Sequence, residues 1–178
     1  MRHSRHCLVL LIMMSLTACQ REISEPAPVL PFFTKTSIRE LMDAEVDPAA
    51  DALWESVAII NGEEKRPRTA EEWQAVRRSA LTLIEATNLI VMDGRRIAPA
   101  GAHYADEADP QALQARLDAN RASFVGMAQA LRAVGLKTLD AIDAQDANRL
   151  FELGGELDEA CEACHVAYWY PPDLEPKR

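Results

Sequence analysis

Residues 138–172 read TLDAIDAQDANRLFELGGELDEACEACHVAYWYPP. Leu139, Ile142, Leu150, Phe151, Leu157, Cys161, Cys164 and Tyr168 recur at helical spacing, so the segment has one apolar face. Thr138 supplies an opening signal and Pro171-Pro172 a stop. Near the end of this predicted helix stands Cys161-Glu162-Ala163-Cys164-His165. Cys-x-x-Cys-His is the spacing of a c-type haem attachment site. Each thiol can add across one vinyl group of the porphyrin, and the adjoining His is then placed to bind the iron as its proximal ligand.

Two other chemistries use similar residues. A redox dithiol needs a thiol whose pKa is lowered by a cation or a helix N-terminus. Here the pair falls late in the helix among Asp158, Glu159 and Glu162, a setting that favours the neutral thiol. A structural zinc site needs four ligands. Beyond Cys161, Cys164 and His165, the mature chain has only His103 and an N-terminal Cys19 as soft donors, and adjacent residues rarely both reach one tetrahedral ion.

Outward from this segment, the rest of the chain also has helical periodicity. Ser37 and Glu40 form a capping box, and Ile38, Leu41 and Met42 begin the apolar stripe. Asp47-Pro48 predicts a kink or break after Val46, with Ala50, Leu53, Trp54, Val57 and Ile60 continuing one face. Gly62 and residues 63–68 read as a loop. Thr69 and Glu72 cap a second helix through Trp73, Val76, Leu83 and Ile90 to Gly94. Residues 95–109 form the longest connection. Asp109-Pro110 opens a third helix lined by Leu113, Leu117, Phe124, Met127, Leu131 and Val134, with Gly135 as its stop. No alternating strand pattern is evident. Four amphipathic helices with short connections predict an all-α, antiparallel up-down-up-down four-helix bundle over residues 36–170, with a tail at 171–178. Gly154-Gly155 inside the last helix costs about 2 kcal/mol against alanine, which close helix packing would explain.

The first 18 residues read as a signal peptide. Arg2 and Arg5 precede an apolar run, Leu8 to Met14, that is too short to span a bilayer. Leu16-Thr17-Ala18-Cys19 resembles a bacterial lipobox, which implies acylation of Cys19 and a membrane held through lipid rather than a transmembrane helix. Gln20 rather than Asp after the Cys suggests the outer membrane. Residues 19–35 then form a Pro-rich tether that can reach about 40–50 Å. Phe32 and Phe33 within it can dock on the domain or on lipid.

With Arg2 and Arg5 gone, the net charge of −9 becomes about −11. That excludes a basic nucleic-acid-binding surface and leaves a basic redox protein as a compatible partner.

The helices and the late Cys-x-x-Cys-His together resemble the cytochrome c′ superfamily, the class II c-type cytochromes. The resemblance spans about Ser37 to Tyr170. It implies one covalent haem c on Cys161 and Cys164, with His165 as proximal axial ligand, maturation outside the bacterial cytoplasm, and dimerisation through the first two helices. Tyr168 matches an aromatic of the family pattern, but Trp169 stands where a basic residue commonly follows. In low-spin members a Met of the first helix binds the iron opposite His, which implies Met42; Met92 and His103 are rivals. Met127 lies too far along a helix that starts at Pro110, roughly 25 Å from that start.

With Met42 bound, a six-coordinate His/Met iron suits an electron carrier passing electrons to a respiratory or envelope protein. Without it, an apolar distal side formed by Ile38 and Leu41 suits a five-coordinate binder of nitric oxide or carbon monoxide. A third reading is an acidic envelope lipoprotein acting as an interaction module. No acid, base or nucleophile constellation is present, so the chain is expected not to be an enzyme. Trp169 and Tyr170 are expected to cover the haem edge or a docking surface.

Overall fold

The computed structural model describes Phe32 to Leu174. The signal peptide, Cys19 and the tether up to Pro31, like the last four residues of the tail, lie outside the described residues.

The first helical rod consists of α1 (Ile38–Leu41), a π-helical turn (Met42–Val46) and α2 (Asp47–Ser56). Ser37 opens it with a complete capping box to Glu40. The predicted break at Asp47-Pro48 is absent. Pro48 has no N–H to give and would collide with the carbonyl four residues back in a regular helix. The chain instead widens by one residue, and the Asp47 N–H donates to the Met42 carbonyl. Ile38, Met42, Val46 and Ala50 are spaced by fours, a lag that the wider turn absorbs.

A short hairpin follows, β1 (Ala58–Ile60) and β2 (Glu63–Lys65), antiparallel with Ile59 opposite Glu64. It corrects the expectation of a plain loop. Asn61 (φ 55°) and Gly62 (φ 82°) take the two left-handed positions of a tight hairpin turn, for which Asn-Gly is the strongest short signal. Ile60, assigned to the inner face by periodicity, is exposed because it sits in β1.

Helix α3 (Ala70–Ile90) starts at the expected Thr69–Glu72 capping box. The third rod is broken where none was predicted: α4 (Pro110–Ala119) ends at Asn120, and α5 (Arg121–Asp143) starts anew. Helix α6 (Ala147–Tyr168) completes the bundle, with the Asp146 side chain accepting from the Arg149 N–H.

Two predicted boundaries are therefore corrected: Gly135 is not a stop, and Thr138 does not open the last helix. Both lie inside α5, where the Thr138 hydroxyl donates back to the Val134 carbonyl at 3.0 Å. Gly135 is there for packing: a Cβ on it would come within 2.9 Å of Ile84 Cγ1 on α3. Phe151, another predicted inner residue, is about half exposed.

The rods run antiparallel. Arg77 pairs with Asp143 and Arg132 with Asn88 across α3 and α5; Lys137 pairs with Glu156 across α5 and α6; the Trp54 indole donates to the Gly154 carbonyl at 3.0 Å across α2 and α6. These contacts give the up-down-up-down bundle. Gly154 permits this close approach: a Cβ there would sit 3.2 Å from Trp54 Cδ1, and the indole would have to shift by a few tenths of an ångström. None of the described helices is long and apolar enough to cross a membrane.

The apolar interior falls into two clusters. One gathers Leu53, Trp73, Leu83, Ile142, Leu153 and Leu157; the other gathers Ile38, Ile90, Leu113, Leu117, Phe124 and Tyr168. Met42 packs against both. Loop 91–109 is sewn onto the second cluster: the Ile38 and Arg39 N–H groups donate to the Arg96 and Ile97 carbonyls at 2.8 and 3.0 Å, and the Ile97 N–H donates to Gln114 Oε1. The N-terminus of α1 thus has its orphan donors satisfied by the loop.

Gly135→Ala is expected to destabilise by about 1–3 kcal/mol through overpacking against Ile84. Gly126→Ala, on the exposed side of the same helix with open space around it, is expected to stabilise by up to about 1 kcal/mol. Urea denaturation of the two variants checks the pair of opposite signs.

Candidate haem site

Cys161, Cys164 and His165 lie in the last two turns of α6 and share the face turned to the interior, as positions i, i+3 and i+4 of a helix must. Cys161 packs against the first apolar cluster and Cys164 against the second, so the motif straddles the seam between them.

Two cavities open on this seam. One, of about 660 Å³ including its mouth, is walled by Ile38, Met42, Ile97, Phe124, Cys164 and His165, with Arg39, Glu107 and Trp169 at its polar side. The other, of about 900 Å³, is walled by Met42, Val46, Met127, Leu131, Cys161 and Cys164, with Asp47, Asp51, Asp158 and Glu162 among its borders. His165 and Met42 line both. An apolar wall with a few convergent polar groups is the usual lining of a ligand pocket.

The protonation states suit a haem c site. Burial pushes the Cys161 and Cys164 thiols up to about 11, helped at Cys161 by Asp158. Such thiols are neutral at pH 7, the opposite of a redox dithiol. Burial lowers the His165 pKa, against the pull of Asp47 and Glu162, which leaves a neutral imidazole able to ligate a metal. Among the described residues no group of three or more His, Cys, Asp or Glu side chains converges as a metal cage, so the zinc alternative lacks its ligands there. The donor set fits a haem c: two thiols, one neutral imidazole and an apolar slot.

Of the candidate distal ligands, Met42 lines both cavities together with His165. Met92 follows α3, with its sulfur 3.4 Å from the Arg95 guanidinium and on neither cavity wall. His103 is exposed in the loop and lines neither cavity. Met127, set aside on sequence grounds, lines the second cavity. The distance from Pro110 misled because the rod breaks at Asn120 and Met127 sits two turns into α5. Of the expected distal apolar pair, Ile38 lines the first cavity, whereas Leu41 is buried in the second cluster.

Tyr168 is a structural anchor: it is buried, edge-on to Phe124 at 5.2 Å, and its hydroxyl donates to the Asn120 carbonyl at 3.2 Å, bracing the α4–α5 joint. Trp169 packs edge-on against the His165 ring at 4.8 Å and donates its indole N–H to Glu107 Oε2 at 3.3 Å. Glu107 is also gripped by both terminal nitrogens of Arg39, and the ion pair holds its carboxyl below the usual range. Arg39 in turn lies 3.9 Å over the Tyr104 ring.

Sequence reasoning missed Arg39, Tyr104 and Glu107. The signal was the unusual length of the 95–109 connection, since long ordered loops are commonly functional.

Protein matured in a host that attaches haem is expected to show no reactive thiol at residues 161 and 164 even when denatured. Protein made without haem is expected to expose both to a thiol reagent. When folded they should react on the order of a hundredfold more slowly at pH 7 than a free cysteine, and faster as pH rises toward 11. A thiol titration against pH checks both.

No family model matches the chain, and no curated protein matches it. Solved structures do. A cytochrome c′ structure aligns over 78% of this chain and 98% of its own at 20% identity and a TM-score of 0.51. A nitric oxide complex of a leucine-to-alanine variant of cytochrome c prime from Alcaligenes xylosoxidans aligns over 78% and 98% at 19% identity, also with a TM-score of 0.51. The nitrosyl complex of an aspartate-to-alanine variant from the same organism covers 77% and 98% at 19% identity, with the same TM-score. The antiparallel rods and the break-free last helix bearing the Cys-x-x-Cys-His motif thus make up a bundle with the fold of cytochrome c′.

Proposed function

We propose that this chain is a monohaem c-type cytochrome of the cytochrome c′ kind, binding a small diatomic ligand such as nitric oxide rather than catalysing a reaction. The observation that supports it is the placement of Cys161, Cys164 and His165 on one face of α6, at the seam of a cytochrome c′ fold and opposite an apolar wall. Two of the fold neighbours are nitric oxide complexes. Cys161 and Cys164 would hold the haem covalently, and His165 would be its proximal ligand. When bound, the haem would supply an iron with a position at which a small diatomic ligand could bind.

What the chain contributes is the environment of that position. Ile38, Ile97 and Phe124 give the first cavity an apolar wall. Burial keeps the His165 imidazole neutral. Met42 is the residue nearest in role to a gate: as a flexible thioether it can fill the space or bind the iron.

A second reading keeps Met42 as the sixth ligand and makes the chain an electron carrier to an envelope or respiratory partner. It is favoured by one observation, that Met42 lines both cavities together with His165. The haem-free interaction module would require both thiols to remain free.

An absorption spectrum of the ferrous protein with and without carbon monoxide separates these readings. Gas binding predicts a high-spin ferrous spectrum and immediate stoichiometric uptake. Ligation by Met42 predicts a low-spin spectrum with slow uptake or none, converted to high spin by Met42→Ala.

The chain is further proposed to be anchored by lipid on Cys19, facing the periplasm, with the outer membrane favoured by Gln20. Cys19→Ser is expected to move the protein from the membrane to the soluble fraction; retention in the membrane pellet would count against the lipid anchor.

A further inference from the structure

A histidine that binds a metal ordinarily donates its other ring N–H to a carboxylate, a carbonyl or water, which fixes the ring plane and raises its basicity. The His165 ring is also packed by its neighbours. Two aromatic rings pack against it: the Trp169 indole at 4.8 Å with an interplanar angle of 89°, and the Tyr170 ring at 6.1 Å, tilted by 58°. Edge-to-face packing of this kind has a preferred geometry and resists rotation of either ring.

The indole is itself held. Its N–H donates to Glu107 Oε2. Glu107 is fixed by the two-pronged grip of Arg39, and Arg39 is sandwiched on the Tyr104 ring at 3.9 Å with the Trp169 ring 5.8 Å away. A planar guanidinium suits both the forked carboxylate contact and the aromatic face. The chain of contacts therefore starts on α1, three residues before Met42, crosses loop 91–109 and ends on the proximal histidine. Tyr170, the other ring against His165, is tied by its hydroxyl to Glu162 on α6.

We infer that Trp169 is the positioning residue for the His165 imidazole, with Glu107 and Arg39 fixing the indole in place of the usual hydrogen-bonded carboxylate. The inference rests on the proposed haem ligation by His165. Its consequence is a proximal ligand oriented by aromatic packing and joined through one ion pair to the rod that carries Met42.

The iron–histidine stretching band in the resonance Raman spectrum of the ferrous holoprotein reads ligand orientation directly. The band is to be recorded in the full chain and on the Met42→Ala background, so that it is visible whether or not Met42 binds. Trp169→Leu is expected to shift and broaden it. Trp169→Phe, which keeps a ring but loses the donor, and Glu107→Gln, which weakens the clamp, should each give a smaller change of the same kind. Because they act on one link, their combination should give less than the sum of the two effects.

A purely structural role would lower the melting temperature and leave the band at its original position and width; that result in Trp169→Leu overturns the inference, and in Trp169→Phe does so even if the leucine variant fails to fold. Intact mass keeps the two levels apart. Absence of a haem increment defeats the proposed function, whereas haem present with an unmoved band defeats only the role of Trp169.

Discussion

A missing backbone hydrogen shapes the first rod of this bundle. Pro48 cannot donate, and a regular helix passing through it would lose a hydrogen bond and suffer a clash, at a cost of about 3 kcal/mol. The wide turn Met42–Val46 lets the rod continue. It also brings residues spaced by fours onto one face, so that Ile38 and Met42 line the first cavity while Met42, Val46 and Ala50 line the second. Wide turns of this type are frequent at functional sites, and here the first of its residues lines a cavity with His165.

The two ends of the bundle are packed differently. At the hairpin end, α2 and α6 approach closely enough for Trp54 to reach the Gly154 backbone. At the motif end the interior divides into two clusters with Met42 touching both, and Met42 lines a cavity beside the Cys-x-x-Cys-His motif. A slot in an apolar interior forfeits dispersion contacts and stays destabilising until something fills it. That the chain maintains such a slot beside two half-buried, neutral thiols and a neutral imidazole is what sets the chemistry of the site apart from ordinary core packing.

Features set by neighbours in sequence were legible in advance. The Ser37–Glu40 and Thr69–Glu72 capping boxes and the Asp109-Pro110 start depend on residues within one turn, and all three are present. Gly135 was misread because its reason lies on another helix, at Ile84. Asn120 was missed because periodicity runs through it almost unbroken, and the error carried forward to Met127. The Asn61-Gly62 hairpin was readable, but its strands are only three residues each and show no alternation. In the site, Cys161, Cys164 and His165 announced themselves by spacing. Arg39, Tyr104 and Glu107 had no such signal, since a loop and a helix surface meet only in three dimensions.

Arg95 carries an implication for how the domain bears load. Its buried guanidinium holds the carbonyls of Phe33 and Thr36, where the chain enters the domain, and of Leu89 near the end of α3. Any pull on the N-terminal segment is therefore delivered to the rim of the bundle nearest His165 and shared with its second rod before it reaches α1. The far end, with its hairpin and the exposed Ile59 and Phe151, is left outside that line of force.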